Sequence, residues 1–232
     1  MDTQFWGPPG HKLLHSIAYC YSFGDNSEAQ DTLNRNIIKA FFSSIKHVLP
    51  CIYCRRSYAK YIKELPLKDF LSRDNKDNLF KWVYLVHNKI NGKLRKQGYL
   101  SEKNPSYSSV LKKYKKFIKS IDGIVGWDFL YSIVFNYPEY DFELSDARYN
   151  GYITFFTNVQ FLLPCEKIRK IYASYITKRP IEKYMKTRKE LKRWLYRLEK
   201  KINKKCCGYN ERCKKIEKYR VDKCVNKSCR KS

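Results

Sequence analysis

Two cysteines separated by two residues, Cys51 and Cys54, sit in the stretch Val48-Leu49-Pro50-Cys51-Ile52-Tyr53-Cys54-Arg55-Arg56-Ser57-Tyr58. They follow a proline and open a run containing Arg55, Arg56, Tyr58, Ala59, Tyr61 and Ile62 that reads as helix. A dithiol at a helix N-terminus lies at the positive end of the dipole, among N–H groups that no helical carbonyl uses. That setting favours the thiolate, the form that does redox chemistry, and two arginines in the first turn act in the same direction. The same spacing also suits half of a zinc site or a chance pair, so the rest of the chain must discriminate.

The elements needed to position such a dithiol follow from hydrophobic spacing. Trp6-Gly7-Pro8-Pro9-Gly10 is turn-rich, with proline able to sit in a first helical turn. Leu13, Leu14, Ile17, Ala18 and Tyr21 then recur at helical spacing and carry His11 and His15, four apart, on one face. Two histidines so placed could hold a metal, and more commonly form a packing pair. Leu33, Ile37, Ile38, Phe41, Phe42 and Ile45 mark a second helix, and the third runs from the dithiol to Leu65-Pro66. A fourth contains Leu79, Trp82, Val83, Val86 and Ile90, with His87, Asn88 and Asn91 on or beside its face. Four short helices with short connections predict an all-α, antiparallel four-helix bundle, and no strand pattern competes. Polar groups on an inner face either bond internally or line a ligand pocket between helices.

Composition narrows the classes. Of 232 residues, 43% are hydrophobic, enough for a core beside 30% charged residues. Lys and Arg number 48 against 22 Asp and Glu, a net charge of +26 that suits an acidic partner. Lys, Asn, Ile and Tyr are all abundant, the bias an A/T-rich gene produces, so we read many lysines as solvated surface and do not expect nucleic-acid binding. There are nine cysteines: Cys20, Cys51, Cys54, Cys165, Cys206, Cys207, Cys213, Cys224 and Cys229. The start of the sequence has no signal-peptide pattern, and no stretch is apolar enough to span a membrane. The expectation is therefore a cytoplasmic protein, in host cytoplasm or virion if the source is viral, with metal or redox cysteines rather than a passive disulfide scaffold.

Three motif groups together resemble the Erv/ALR flavin-dependent sulfhydryl oxidases, most of all the small members from large DNA viruses. They are Trp6-Gly7-Pro8 with Leu14-His15-Ser16-Ile17-Ala18, then Pro50-Cys51-Ile52-Tyr53-Cys54 with Tyr58, then His87-Asn88-Lys89-Ile90-Asn91 with Leu94 and Lys96. The resemblance implies FAD inside the bundle, with Cys54 against the isoalloxazine and Cys51 as the outer thiol. It implies FAD contacts from Trp6, Gly7, His11, His15, Tyr58, His87, Asn88, Asn91, Lys93 and Lys96. It further implies electron transfer from protein dithiols, or a thioredoxin-like carrier, through flavin to oxygen, giving hydrogen peroxide. Three departures stand out: His11 where the family usually has Trp, Ser57 where it often has His, and no cysteine between Cys54 and Cys165.

The second half retraces the first. Phe155-Phe156 through Leu163-Pro164-Cys165, then Arg169, Tyr172, Ala173, Tyr175 and Ile176, repeats Phe41-Phe42 through Leu49-Pro50-Cys51, then Arg55, Tyr58, Ala59, Tyr61 and Ile62, at an offset of 114 residues. The core pattern survives while the chemistry does not: Ile168 stands at the place of Cys54, Tyr131 at that of His15, and Glu199 and Lys200 at those of His87 and Asn88. We therefore expect an oxidase unit over residues 1–100, a connecting basic helix or linker over 101–122, a degenerate helical bundle over 123–204 and a Cys-containing basic tail over 205–232. The degenerate copy would serve as an intramolecular pseudo-dimer partner, with further homodimerisation left open. In the tail, Cys224 and Cys229 are candidates for a dithiol shuttle to Cys51; a zinc site is the competing reading, and no metal ligand is assigned. A basic zinc-binding nucleic-acid protein and an inactive scaffold of the same fold remain the rival functions.

Overall fold

A computed structural model describes residues 3–21, 27–71, 78–121 and 124–206. It is helical: α1 (Thr3–Cys20), α2 (Glu28–Val48), α3 (Ile52–Glu64), α4 (Asn78–Lys96), α5 (Tyr107–Ile118), α6 (Trp127–Phe135), α7 (Asp146–Leu162), α8 (Glu166–Lys178) and α9 (Arg188–Cys206). Among the described residues the only β pairing is a lone bridge between Tyr140 and Thr187. No described helix is long and apolar enough to cross a membrane.

Local chemistry sets several boundaries. Ser27 caps α2 by accepting from the Gln30 N–H at 3.3 Å, and Glu28 and Asp31 in the first turn complement the dipole. Helix α2 ends at Val48, with Leu49 as its C-cap immediately before Pro50, and α3 starts at once from Cys51 as its N-cap. Helix α1 begins earlier than the glycines and prolines suggest, running through Pro8 and Pro9. Each proline removes one helical N–H. Tertiary packing compensates, because Trp6 is buried against Phe129, with ring centroids 5.9 Å apart.

In the first half α1 packs on α4, α2 on α3, and α3 on α4. In the second half α6 packs on α9, α7 on α8, and α8 on α9. The hydrogen bonds recur as well. Tyr58 Oη donates to Phe42 O at 3.0 Å, and Tyr172 Oη to Phe156 O at 2.9 Å. Arg55 Nη1 donates to Leu49 O at 2.8 Å, and Arg169 Nη1 to Leu163 O at 2.6 Å. Trp82 Nε1 reaches Leu65 O at 2.8 Å, and Trp194 Nε1 reaches Arg179 O at 2.9 Å.

The halves join through α2 against α7 and α1 against α6, and their apolar residues form one continuous core. Phe41 stacks on Phe155, its own counterpart, at 5.1 Å. A Cβ on Gly10 would lie 2.9 Å from the Phe129 ring, and one on Gly126 would lie 2.9 Å from Leu13 Cβ. Gly126 follows Gly10 by 116 residues and Phe129 follows Leu13 by the same number, so the two contacts are one contact made twice.

Helix α5 departs from the connecting role read in the sequence. It packs across α1 and α4 with Tyr114 buried against them, and its lysines reach the cavity described next.

Candidate active site: a dithiol on a helix-lined cavity

Cys51 caps α3 in extended backbone (φ −95°, ψ 131°), and its carbonyl accepts the first helical bond, from Arg55 N, at 3.0 Å. Cys54 follows in the first turn, and both residues are half-buried. The Arg55 side chain folds back under the turn, its Nη1 bonding Leu49 O and, at 3.3 Å, Pro50 O. Tyr58, 4% exposed, ties α3 to α2 through Phe42 O, and burial pushes its phenol far up, so it stays a neutral donor.

Both cysteines line a cavity of about 1040 Å³ between α1, α3, α4 and α5, closed by Phe42 and Ile45 of α2 and Phe129 of α6. Of the sequence candidates, Trp6, Gly7, His11, Cys51, Cys54, Tyr58, His87, Asn91 and Lys93 line it. His15 does not; it lies one layer behind, with Nε2 3.3 Å from His87 Nδ1 and its ring stacked on Tyr114 at 4.9 Å. Asn88 and Lys96 are not on the cavity wall, Asn88 being half-buried elsewhere on α4 and Lys96 exposed near its end. Cys224 and Cys229 lie outside the described residues.

The three histidines form a close cluster. His11 and His87 face each other with centroids 3.4 Å apart and planes 7° from parallel. Burial, then the neighbouring His87 and His15, holds His11 well below the usual imidazole range. Burial, His87 and Lys113 bring His15 down to about 3, and burial with Lys113 brings His87 down to about 4. All three are therefore neutral near pH 7, and one nitrogen of the His15–His87 contact donates while the other accepts. Two buried donor or acceptor atoms here have no partner among the described residues: Trp6 Nε1 and His15 Nδ1. Ser57, where a histidine is common in the resembling family, accepts from Lys93 Nζ at 2.8 Å. Asn91 Nδ2 bonds Asn104 Oδ1 at 3.0 Å, which also receives Arg95 Nη1 at 3.0 Å.

Sequence reasoning missed part of the wall. Lys12 of α1 and Lys113, Lys116 and Phe117 of α5 line the cavity, and Lys12 Nζ lies 4.1 Å from the Phe117 ring centre. The available signal was the aromatic residue inside the basic run, Tyr114, whose burial shows that one face of α5 is packed. The corresponding place in the second half is differently built. Tyr131 Oη donates to Glu199 Oε2 where the first half has the His15–His87 contact, and Ile168, 1% exposed, replaces Cys54. Among the described residues no three of His, Cys, Asp and Glu are grouped to hold a metal.

The model of the Erv1 / Alr family matches residues 10–115 and 125–222. A probable FAD-linked sulfhydryl oxidase of Acanthamoeba polyphaga mimivirus is 34% identical over 91 residues, which is 39% of this chain and 59% of that protein. The mitochondrial FAD-linked sulfhydryl oxidase ERV1 of Saccharomyces cerevisiae is 32% identical over 96 residues, 41% of this chain and 46% of that protein. The chain thus spans about half the length of the curated relatives it matches. No solved structure matches significantly.

Proposed function

Because the chain belongs to the Erv1 / Alr family, we propose that its first half is an FAD-dependent sulfhydryl oxidase of protein dithiols with Cys51 and Cys54 as the redox pair. The observation that carries this reading is that both cysteines line the same cavity as His11, His87, Asn91 and Lys93. The residues fit the cofactor. The volume, about 1040 Å³, suits a large ligand, since small-molecule sites run from roughly 300 to 1000 Å³. Neutral imidazoles and aromatic rings offer flat apolar faces, and Lys12, Lys93, Lys113 and Lys116 offer countercharge to a diphosphate. Trp6 Nε1 is buried without a partner among the described residues and offers a donor. When bound, FAD would supply the two-electron acceptor that the thiols lack, with oxygen as the final acceptor giving hydrogen peroxide.

The chain's own residues prepare that transfer. We assign Cys51, at the N-cap, to exchange with the incoming dithiol, and Cys54 to the inner position. The start of α3 and the Arg55 guanidinium stabilise the thiolate that each exchange leaves behind. Tyr58 and Trp82 fix α3 against α2 and α4 so that the pair keeps its place on the wall. His15 holds His87 from behind, and Lys93 is anchored on Ser57.

We assign the second half the place of a partner subunit with no redox centre of its own. The contacts made twice across α1–α6, and Phe41 on Phe155, support this. A linked copy meets its partner at high effective concentration, so it need keep only packing residues. Purified protein should be yellow, release one FAD per chain on denaturation, and consume oxygen with dithiothreitol while producing peroxide. Folded protein that remains colourless after reconstitution with FAD defeats the proposal.

A further inference from the structure

We propose that the mouth of the Cys51–Cys54 site is a cationic surface built by both halves, and that it selects protein dithiols flanked by acidic residues. The proposal rests on the oxidase reading and names its substrate class. Its geometry centres on Arg148 of α7. Arg148 Nε donates to His47 O at 3.4 Å, four residues before Cys51, and its guanidinium acts electrostatically on the buried Tyr152 phenol. Close approach of the two helices is possible because residue 151 is glycine: a Cβ there would stand 2.4 Å from His47 Cβ. Arg55 lies beside this cluster, held on Leu49 O and Pro50 O, and interacts electrostatically with Arg148, Cys51 and Cys54. Ile52, the residue after Cys51, is 47% exposed.

The charges that act on the turn before Cys51 are cationic. After burial, the groups that lower the His47 pKa are Lys46, Arg148 and Arg55. One carboxylate, Asp141, acts with Arg148 on Tyr137, and the cations Lys46, Arg55 and Arg148 outnumber it. Half-buried cations packed together raise one another's energy, and an incoming carboxylate relieves that cost. An acidic segment carrying its own cysteine pair meets countercharge around Cys51 and an apolar contact at Ile52. Its thiolate attacks Cys51 Sγ of the Cys51–Cys54 disulfide, that S–S bond breaks, and a mixed disulfide forms. The second substrate thiolate then displaces Cys51. The substrate loses two electrons and two protons, and Cys51 and Cys54 gain them as thiols.

The same charge argues against a relay from within the chain. Residues 207–232 hold nine Lys and Arg against three Asp and Glu, with Lys223, Lys227, Arg230 and Lys231 around Cys224 and Cys229. That pair would approach a mouth of its own sign.

The test uses the full-length, FAD-loaded protein and two dithiol peptides identical except for flanking Glu or flanking Lys residues. Dithiothreitol oxidation is followed as the uncharged reference. At low salt the acidic peptide should be oxidised with about tenfold higher kcat/KM than the basic one, and the ratio should shrink as salt screens it. Arg148→Glu should bring the ratio to one or below. Lys46→Glu should lower it from the α2 side and serves where Arg148→Glu does not fold. A wild-type ratio of one at low salt, with dithiothreitol still oxidised, overturns the docking proposal and leaves the oxidase reading standing. A preference lost in Cys224→Ser/Cys229→Ser also overturns it, by placing selectivity in the tail. Failure to oxidise dithiothreitol defeats the oxidase reading, and the docking proposal with it.

Discussion

Gly151→Ala isolates the packing between the two halves. Residue 151 is in α7, and a Cβ there would lie 2.4 Å from His47 Cβ and 2.9 Å from His47 Cγ. Ordinary carbon contacts need about 3.5–4.0 Å, so roughly an ångström must be found. The obstructing Cβ is fixed to the α2 backbone, and rotating the imidazole does not move it. The helices themselves must separate, at the contact that also seats Phe41 on Phe155 and Arg148 on His47. Overpacking of this kind costs about 1–3 kcal/mol. From this an alanine's gain in helix propensity, about 1 kcal/mol, must be subtracted. Gly92→Ala in α4 measures that gain alone, since nothing lies within 4 Å of a Cβ there. We therefore expect Gly92→Ala to raise stability by up to about 1 kcal/mol, and Gly151→Ala to fall below Gly92→Ala by about 1–3 kcal/mol. In a chain of this size that gap is roughly 2–12 °C in Tm. Thermal unfolding by circular dichroism, with chemical denaturation as a second measure, reads both variants. Equal shifts for the two glycines would refute the close α2–α7 contact and the two-half assembly argued from it.

Three further outcomes follow from the site. Cys51→Ser and Cys54→Ser should each lower dithiothreitol oxidation by at least about a hundredfold, because disulfide exchange needs both sulfurs; near wild-type oxygen consumption in both would remove the dithiol from the reaction. Acid should destabilise the FAD-free protein before its carboxylates titrate. The imidazole pKa values of His15 and His87 fall from an unfolded value of about 6.5 to about 3 and about 4, so stability is full above the unfolded value and is lost as pH falls through this window. Denaturation midpoints between pH 7 and 4 check the sign, and Lys113→Met, which removes a cation acting on both rings, should lessen the loss. Tyr131→Phe should cost about 1–3 kcal/mol by stripping buried Glu199 of a hydrogen bond, without removing bound FAD; loss of FAD in that variant would place cofactor contacts in the second half.

The parts of the chain that line the cavity beside the dithiol were legible because each depends on short covalent spacing. Pro50 next to Cys51 dictates where α2 stops and α3 begins, and two intervening residues keep Cys54 within the same first turn. His87 and Asn91, four apart on α4, share a cavity wall for the same reason. Phe155-Phe156 and Leu163-Pro164-Cys165 were legible as an echo of Phe41-Phe42 and Leu49-Pro50-Cys51 because the packing residues recur at constant offset even where reactive residues have changed. Tertiary structure decided what spacing cannot encode. His11 stacks on His87 and His15 touches the same ring only because α1 crosses α4, so which histidine lines the cavity and which backs it depends on a helix crossing. A basic run such as Lys112–Lys119 has the same pattern whether its outer face meets water or a cavity; the position of α5 across α1 and α4 put the exposed Lys113 and Lys116 at the cavity's edge. Arg148 lies far from the dithiol in sequence, and only a residue without a side chain at 151 lets α7 close on α2 and bring that cation to the turn that carries Cys51.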